Sequence, residues 1–324
     1  MPELRPILVL GPTAGGKSAV AYELARRLGA AEIVGADSMQ IYRGMDAGTA
    51  KPDPAWRRQV VHHMIDVVEP TERFTVADWL GRAGAIIDGL LERRVVPIVV
   101  GGTNLYIQAL LEGLFDGPPA DPAIRDELER LDGPQLYAGL RDVDPAAADQ
   151  IHPNDRRRLV RALEVHRTTG TPISAWQQQW RDDAADRPYL RDPRIIGLSW
   201  PTEPLNLRIN LRVRAMFHPD RVPDEVARAV LPAGESLPDE TRRLLDAGRL
   251  GDQSRQALGY KQVIEFIEGR MTLDTAFERT KILTRRFAKM QRTWLRRFRS
   301  VSWLDAAIEG PDALAGEAEL IVRQ

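Results

Sequence analysis

Three features of the sequence predict an α/β fold. A short apolar run ends in a glycine-rich loop and passes straight into a helical pattern at residues 6–28. Further strand-like runs recur between helical patterns at 31–36, 62–68, 95–100 and 194–200. Between 118 and 193 no strand candidate appears. Alternating strands and helices fold into a parallel sheet covered by helices. The expectation is therefore a P-loop NTPase-like parallel sheet flanked by helices, built from residues 1–117 and 194–324, with an inserted all-helical domain at 118–193.

The opening run Pro6-Ile7-Leu8-Val9-Leu10 leads into Gly11-Pro12-Thr13-Ala14-Gly15-Gly16-Lys17-Ser18, a match to G-x-x-x-x-G-K-[ST]. In strand–loop–helix context the glycines let successive backbone N–H groups face one concavity. Lys17 adds a fixed charge, and the Ser18 hydroxyl can hold a magnesium ion. A plain β–α turn would not explain Lys17-Ser18 at the helix start. The loop is read as a site for a di- or triphosphate group.

The chain has 324 residues, 43% hydrophobic and 28% charged, with a net charge of −1 and no cysteine. Disulfides, thiolate metal sites and cysteine nucleophiles are excluded, and a reducing cytoplasm is the expected location. No apolar run approaches the roughly 18 residues of a membrane span. The N-terminal Met1-Pro2-Glu3-Leu4-Arg5 leaves no room for a targeting segment before the first strand.

The second strand, 31–36, ends in Asp37-Ser38-Met39-Gln40. Ligands of open parallel sheets collect at the carboxyl ends of the strands, so Asp37 should face the phosphate crevice. It could cap the next turn or take a proton from an acceptor beside the phosphates. Residues 41–52 then read as a long loop over the crevice. His62 and His63 would point to opposite faces of a strand at 62–68, which argues against a shared metal. A helix is expected around 76–93. The run Val95-Val96-Pro97-Ile98-Val99-Val100 is the strongest buried strand, ending in Gly101-Gly102-Thr103-Asn104. A hydroxyl stands there where a motor ATPase would usually carry an acid.

In the predicted insertion, Arg157, Arg158 and Arg161 lie three and four residues apart on a helix. They form a solvated surface or contact a nucleic-acid backbone. After the strand at 194–200, a helix from about 203 places Arg208 and Arg212 on one face. They either clamp phosphate oxygens or pair with acids. The last long helix carries eight basic and no acidic residues between Lys281 and Arg299. Leu283, Phe287, Met290, Trp294 and Phe298 form a predicted apolar stripe. Lys281, Arg285, Lys289, Arg292, Arg296 and Arg299 form a second stripe whose missing counter-charges point to a polyanion. Tyr260 beside Lys261 could stack on a base or be packed.

Several of these segments occur together in one family. The phosphate loop, Asp37-Ser38-Met39-Gln40-Ile41-Tyr42-Arg43-Gly44-Met45-Asp46-Ala47-Gly48-Thr49-Ala50-Lys51-Pro52, Gly101-Gly102-Thr103, His152-Pro153-Asn154-Asp155, Leu258-Gly259-Tyr260-Lys261 and Gln291-Arg292-Thr293-Trp294-Leu295-Arg296-Arg297 agree in order and spacing. With them the chain resembles the bacterial tRNA dimethylallyltransferases over nearly its whole length. The resemblance implies transfer of a dimethylallyl group from dimethylallyl diphosphate to N6 of adenine 37 of tRNA; Mg2+ is the expected cofactor and a monomer the expected state. The loop Gly11 to Ser18, with Arg208, would bind the diphosphate. Asp37 would be the base, Thr103 would contact the bridging oxygen, and Lys17 and Arg212 would hold the leaving group. The tRNA path would comprise Asp37, Ser38, Met39 and Gln40 with Thr103 and Arg125. It would continue over Arg157, Arg158, Leu159, Val160 and Arg161, then Gln256, Ala257, Leu258, Gly259, Tyr260 and Lys261. Lys289, Met290, Gln291, Arg292, Thr293, Trp294, Leu295 and Arg296 would complete it.

The chain departs from the family pattern at Arg156-Arg157, where proline and glutamine are frequent, and at Gly15, where serine is usual. Arg156 receives no role. A small-molecule kinase, an adenylate isopentenyltransferase and an RNA-binding ATPase are the rival readings. The first two give no reason for the basic helix, and the third should turn over ATP.

Overall fold

The computed structural model describes residues 4–114, 117–177, 192–298 and 300–323. Within them the chain forms two compact units, one of residues 1–108 with 190–324 and one of residues 109–189. The sequence had suggested 117/118 and 193/194 as the division. Most of the segment 178–193 and Arg299 lie outside the described residues.

The larger unit is built on six parallel strands: β1 (Ile7–Leu10), β2 (Ala31–Ala36), β3 (His62–His63), β4 (Val96–Gly101), β5 (Arg194–Ser199) and β6 (Val301–Asp305). Their order across the sheet is β3-β2-β4-β1-β5-β6. The central strands carry apolar residues on both faces because helices cover both. Helix α1 (Lys17–Leu28) packs Val20 and Leu24 with Leu314 and Ala318 of the C-terminal helix, Pro311–Arg323, against β1. On the other flank of β2, α3 (Val76–Glu92) starts in a capping box of Thr75 with Asp78 and donates Trp79 Nε1 to Gly35 O at 2.9 Å. Gly101 is fixed by strand packing, since a Cβ there would come to 2.1 Å from Ala36 O.

The expected strand at 62–68 is reduced to His62–His63. Met64 (φ 61°) and Asp66 (φ 56°) turn left-handed and break the extended run. Val68 returns only as an isolated bridge to Tyr42. The two histidines do diverge: His63 Nε2 meets Glu32 Oε2 at 2.6 Å, and His62 Nδ1 meets Val60 O at 2.8 Å. β6 and the C-terminal helix had no counterpart in the sequence reading. Two shorter helices complete this part of the chain: α2 (Pro54–Gln59) precedes β3 and α4 (Asn104–Glu112) follows β4.

The smaller unit shows helices and no strand among its described residues: α5 (Pro122–Glu129), α6 (Gly133–Val143), α7 (Pro145–Gln150) and α8 (Arg156–Thr169) pack around Leu128, Leu136, Leu140, Leu159 and Leu163. Leu159 and Val160, expected on the tRNA path, are buried in this core instead. Arg125 and Arg161 also differ from expectation. Both pair with Glu164, at 2.7 and 2.8 Å, and Glu164 is 0% exposed. A buried carboxylate needs such partners, so these two arginines close the fold of their unit. Arg156 bonds Glu129 O. Arg157 and Arg158 are exposed; Arg158 pairs loosely with Asp155 at 3.3 Å.

After β5 the larger unit continues through α9 (Thr202–Phe217), α10 (Asp224–Val230), α11 (Leu237–Asp246) and α12 (Tyr260–Ile267). They are followed by the long α13 (Leu273–Leu295). With these, the C-terminal helix is α14. No helix among the described residues is long and apolar enough to cross a membrane.

Removing Glu164 tests the ion cluster of the smaller unit. Glu164→Leu should destabilise that unit by about 2–3 kcal/mol, a buried-pair loss discounted because both arginines keep some solvent. Hydrogen exchange across α5 and α8 should accelerate accordingly; unchanged protection would mean that the cluster adds nothing.

Candidate functional site

The phosphate loop bends sharply between β1 and α1. Gly15 N–H donates to Pro12 O at 3.1 Å, and Ala14 (φ 59°) and Gly16 (φ 85°) both adopt left-handed backbone. Such alternation turns successive N–H groups to one side and makes an anion nest. A Cβ at Gly15 would stand 2.8 Å from Pro12 O, so the tight turn suits glycine in this chain. No side chain caps α1, leaving its first N–H groups for a ligand.

This loop forms one side of a cavity of about 590 Å³ at the carboxyl edge of the sheet. Lys17, Ser18, Asp37, Arg208, Arg212 and Gln291 line it. Lys17 Nζ donates to Pro12 O at 2.8 Å. Burial pulls the Lys17 pKa down to about 8; Asp37 opposes the shift and Arg212 adds to it. Burial likewise lowers Arg212 from its usual value, again against the pull of Asp37. Lys17, Asp37 and Arg212 thus share one electrostatic environment. Arg208 donates Nε to Ala14 O at 3.0 Å and stacks over Trp200, whose own Nε1 donates to Gly15 O at 3.0 Å.

Asp37 fills the first of the two roles raised by its position and keeps one oxygen free of it. Oδ1 accepts the N–H groups of Met39 (2.9 Å) and Gln40 (3.3 Å), fixing the turn after β2. Oδ2 has no hydrogen-bond partner among the described residues and belongs to a side chain lining the cavity. Thr103, after β4, accepts Ser38 N–H at 3.0 Å and faces Ser38 Oγ at 3.4 Å, so it steadies the same turn. Gln40 Nε2 bridges to Thr49 O and Ala50 O, holding the 41–52 loop at the cavity. Apolar side chains also line the cavity: Leu211, Val226 and Val230 of α9 and α10, with Phe287 of α13, beside the acidic Glu225.

Among the described residues no group of three acidic or histidine side chains could hold a metal. Magnesium bound with phosphates needs only one or two protein oxygens. The Ser18 hydroxyl lines the cavity and has no hydrogen-bond partner among the described residues. The donor set therefore fits a magnesium ion carried largely by a diphosphate.

Helix α13 differs most from expectation. It begins at Leu273 and ends at Leu295, and its buried stripe is Ala276, Thr280, Ala288, Gln291 and Leu295. The predicted apolar stripe is partly open: Phe287 faces the cavity and Met290 is 61% exposed. The buried positions face the neighbouring α9 and α12, which pack against α13. Gln291, read as a tRNA contact, is instead buried at the phosphate loop. Its Oε1 accepts Thr13 N–H at 2.7 Å and its Nε2 donates to Gly102 O at 2.7 Å. Leu295 is buried as well.

The basic stripe is not entirely free of counter-charge. Lys281 pairs with Glu278 at 2.8 Å, Arg285 bonds Asn210 Oδ1, and Arg292 bonds Thr202 Oγ1 at 2.9 Å. Lys289 and Arg296 are exposed with no acidic partner among the described residues. Thr293 is exposed beside them, and Trp294 meets Phe298 edge to face.

Tyr260 is packed, and cannot stack on a base. It is 0% exposed; its hydroxyl donates to Glu240 at 2.5 Å and accepts Gly48 N–H at 3.2 Å. Ala257 and Gly259 are buried with it, whereas Gln256 and Lys261 are exposed and bonded to each other. Trp200 and the apolar side chains of the cavity are site residues that the sequence reading did not single out. The signal for Trp200 was its place just past β5, at the ligand edge of the sheet.

A family model described as IPP transferase matches residues 40–298. The chain is 46% identical over 311 residues to a tRNA dimethylallyltransferase of Syntrophobacter fumaroxidans, covering 94% of this chain and 84% of that one. It is 43% identical to a tRNA dimethylallyltransferase of Geobacter sulfurreducens over 92% of this chain and 91% of the relative. Among solved structures, a tRNA isopentenylpyrophosphate transferase from Bacillus halodurans aligns with a TM-score of 0.67 at 34% identity, covering 98% and 97% of the two chains. A eukaryotic dimethylallyltransferase acting on tRNA aligns at TM-score 0.71 and 26% identity, covering 93% and 73%.

The lowered pKa of Lys17 has a pH signature. Below about 8 the ammonium is present to meet a diphosphate; above it, binding must first take up a proton. Affinity for dimethylallyl diphosphate should be level from about pH 7, above the terminal phosphate's pKa of about 6, up to that point. It should then fall by up to about tenfold per pH unit. Calorimetric titration on both sides of the transition checks this, and Lys17→Arg should abolish the fall.

Proposed function

The chain belongs to the IPP transferase family of tRNA-modifying prenyltransferases, and from that premise we propose that it moves a dimethylallyl group from dimethylallyl diphosphate to N6 of adenine 37 in tRNA. The observation that carries this reading is the cavity itself. A phosphate nest with Lys17 and Arg212 sits beside the carboxylate of Asp37 and apolar side chains, and no acid follows β4.

The chemistry needs each of these parts. The adenine amine is a weak nucleophile because its lone pair is delocalised into the ring. An allylic diphosphate compensates by ionising readily. N6 bonds to the first allyl carbon as the carbon–oxygen bond breaks, and the electron pair leaves with the diphosphate. The loop N–H groups, Lys17, Arg208 and Arg212 stabilise that departing charge, which grows in the transition state. A magnesium ion on the Ser18 hydroxyl would supply further Lewis-acid stabilisation. Asp37 Oδ2 takes the N6 proton while Oδ1 stays anchored to the turn. The 3.4 Å Thr103–Ser38 contact is long, and a hydrogen bond from Thr103 to the bridging oxygen would replace it. Leu211, Val226, Val230 and Phe287 shield the allyl cation character from water.

Exposed Lys289 and Arg296, with Arg292, would meet tRNA phosphates, as would Arg157 and Arg158 of the helical unit. Ser38, Met39, Gln40, Gln256, Leu258, Lys261, Met290, Thr293 and Trp294 remain proposed along the tRNA path. We place the enzyme in the cytoplasm as a monomer.

Incubation with total tRNA and labelled dimethylallyl diphosphate, followed by digestion to nucleosides, tests the reading. Label should appear as N6-dimethylallyladenosine, with free AMP a negligible acceptor. Efficient prenylation of AMP with no advantage for tRNA, or protection by ATP and not by the prenyl donor, would defeat it. Asp37→Asn should lower the rate by about 10²–10⁴ while tRNA binding stays within a few-fold. Collapse of binding at an unchanged rate would make Asp37 a positioning residue. Neutralising Lys289, Arg292 and Arg296 together should flatten the salt dependence of tRNA binding. The log–log slope should fall by roughly 0.7–0.9 per lost phosphate contact.

A further inference from the structure

A second cleft, of about 470 Å³, opens at the carboxyl ends of β5 and β6. The phosphate loop separates the two spaces: Thr13 lines the first and Pro12 the second. The size is that of a small-ligand site, and the lining is unlike the first cavity. It holds Trp200, Phe298, Trp303, Arg292, Arg296 and Asp305.

Trp303 is the informative residue. It sits on β6 and is 44% exposed, an unusual state for a tryptophan in a sheet. Its neighbour across the pairing is Gly197 of β5. A Cβ at Gly197 would lie 2.6 Å from the indole ring and 2.6 Å from Val301. Glycine therefore lets the ring lie down on the β5 backbone, with the rest of the indole left open to the cleft. Arg292 and Arg296 reach the same space from the end of α13, and neither has an acidic partner among the described residues. The one acid, Asp305, uses Oδ1 to accept Ala307 N–H at 3.0 Å.

A purely apolar ligand would cover these guanidiniums without giving them a counter-charge, at a desolvation cost. A simple anion would leave the exposed indole unexplained. An aromatic ring carrying phosphates satisfies both, and a nucleotide is that combination. Sequence-tolerant readers of single-stranded nucleic acid combine an aromatic platform with nearby cations in the same way.

We propose that this cleft is a subsite for one unpaired nucleotide of the tRNA loop, its base stacked on Trp303 and its phosphates met by Arg292 and Arg296. The inference rests on the tRNA reading above and adds a site to it. A nucleotide lodged there lies on the other side of the phosphate loop from the diphosphate. It anchors the RNA strand while a different nucleotide enters the reaction cavity. The subsite acts on tRNA affinity and register, and leaves the chemical step alone.

Two substitutions separate stacking from packing. Trp303→Leu keeps apolar bulk over Gly197 and removes the flat face, and Trp303→Phe restores a ring. Trp303→Leu should lower kcat/KM for tRNA by about 5- to 150-fold, the range expected for one stacked base. Trp303→Phe should recover most of it. Turnover at saturating tRNA and affinity for dimethylallyl diphosphate should stay within about twofold of the unmodified protein. Anticodon stem-loop RNAs, each with one abasic loop nucleotide, then locate the partner. At one position the lost base should weaken binding to the unmodified protein as much as Trp303→Leu does, and should weaken Trp303→Leu no further. Should Trp303→Leu fail to fold, Arg296→Gln, at an exposed position, takes its place in the scan and should couple to the same nucleotide.

Unchanged kcat/KM in Trp303→Leu, or additive losses at every loop position, would overturn the proposal. So would protection of the protein by free AMP or UMP that depends on Trp303 without any coupled RNA position, since the cleft would then serve a small nucleotide. If the unmodified protein prenylates tRNA and no coupling is found, only the subsite falls. If it does not prenylate tRNA, the proposed function falls first.

Discussion

One primary amide joins the three parts of the reaction cavity. Gln291 takes the Thr13 N–H of the phosphate loop and gives its own N–H to Gly102 O at the end of β4. Helix α13, β1 and β4 meet through those two bonds. The arrangement tolerates little change, because a Cβ at position 102 would come within 2.3 Å of Gln291 Nε2 and 3.5 Å of Lys17 Nζ. A phosphate nest works only if its N–H groups are already aimed before charge develops, since turning them during the reaction would cost part of the stabilisation. Thr13 held by Gln291, Gly15 held by Trp200 and Ala14 held by Arg208 together immobilise the loop from outside.

The loop from Tyr42 to Pro52 depends on a second buried network that serves the first. Lys51, almost wholly buried, donates to Tyr42 O, Asp46 and Asp66 at 2.5–2.7 Å. Glu240 accepts Asp46 N–H and Ala47 N–H at 3.0 Å each and the Tyr260 hydroxyl at 2.5 Å. Burial pushes the Glu240 pKa upward while these donors pull it back. Such a network is fully satisfied and so rigidifies what it holds. Its product is the fixed position of Thr49 and Ala50, whose carbonyls receive Gln40, three residues from Asp37.

The sequence was most legible where local chemistry dictates geometry. The phosphate loop, the carboxyl-edge position of Asp37, the β4 strand and the helical character of the insertion all follow from short-range pattern. It was least legible where a residue's role depends on what packs against it. Tyr260 and Lys261 are adjacent, yet one is sealed beneath Gly48 and the other is in solvent. Arg157 and Arg161 share a helix face in the sequence, but a buried Glu164 captures only Arg161. In α13 the apolar residues suggested the wrong face. The true contact face is small and polar, and its one long polar side chain, Gln291, stands where a helical period from Ala276 through Thr280 and Ala288 would place a core residue. That misplaced amide was the available signal. β6 was missed because five residues, alternating and ending in an acid, resemble a loop until the neighbouring β5 supplies Gly197 as a bed for Trp303.

On the proposed function, helix α13 would serve both chemistry and recognition without mixing them. Its buried side presents Gln291 to the phosphate loop, and Phe287 joins the apolar lining. Its exposed side carries Lys289 and Arg296 into solvent, where attraction to RNA is long-ranged and screened by salt. In the proposed reaction the positive charge beside the leaving diphosphate would come instead from Lys17, Arg208 and Arg212, which line the cavity from the loop and α9. A polyanion crossing the outer face therefore need not compete for the cations that would stabilise the departing group. Lys17 itself is held below its usual pKa by burial first and also by Arg212, with Asp37 opposing the shift. A diphosphate, the proposed ligand, would relieve that deficit of opposing charge.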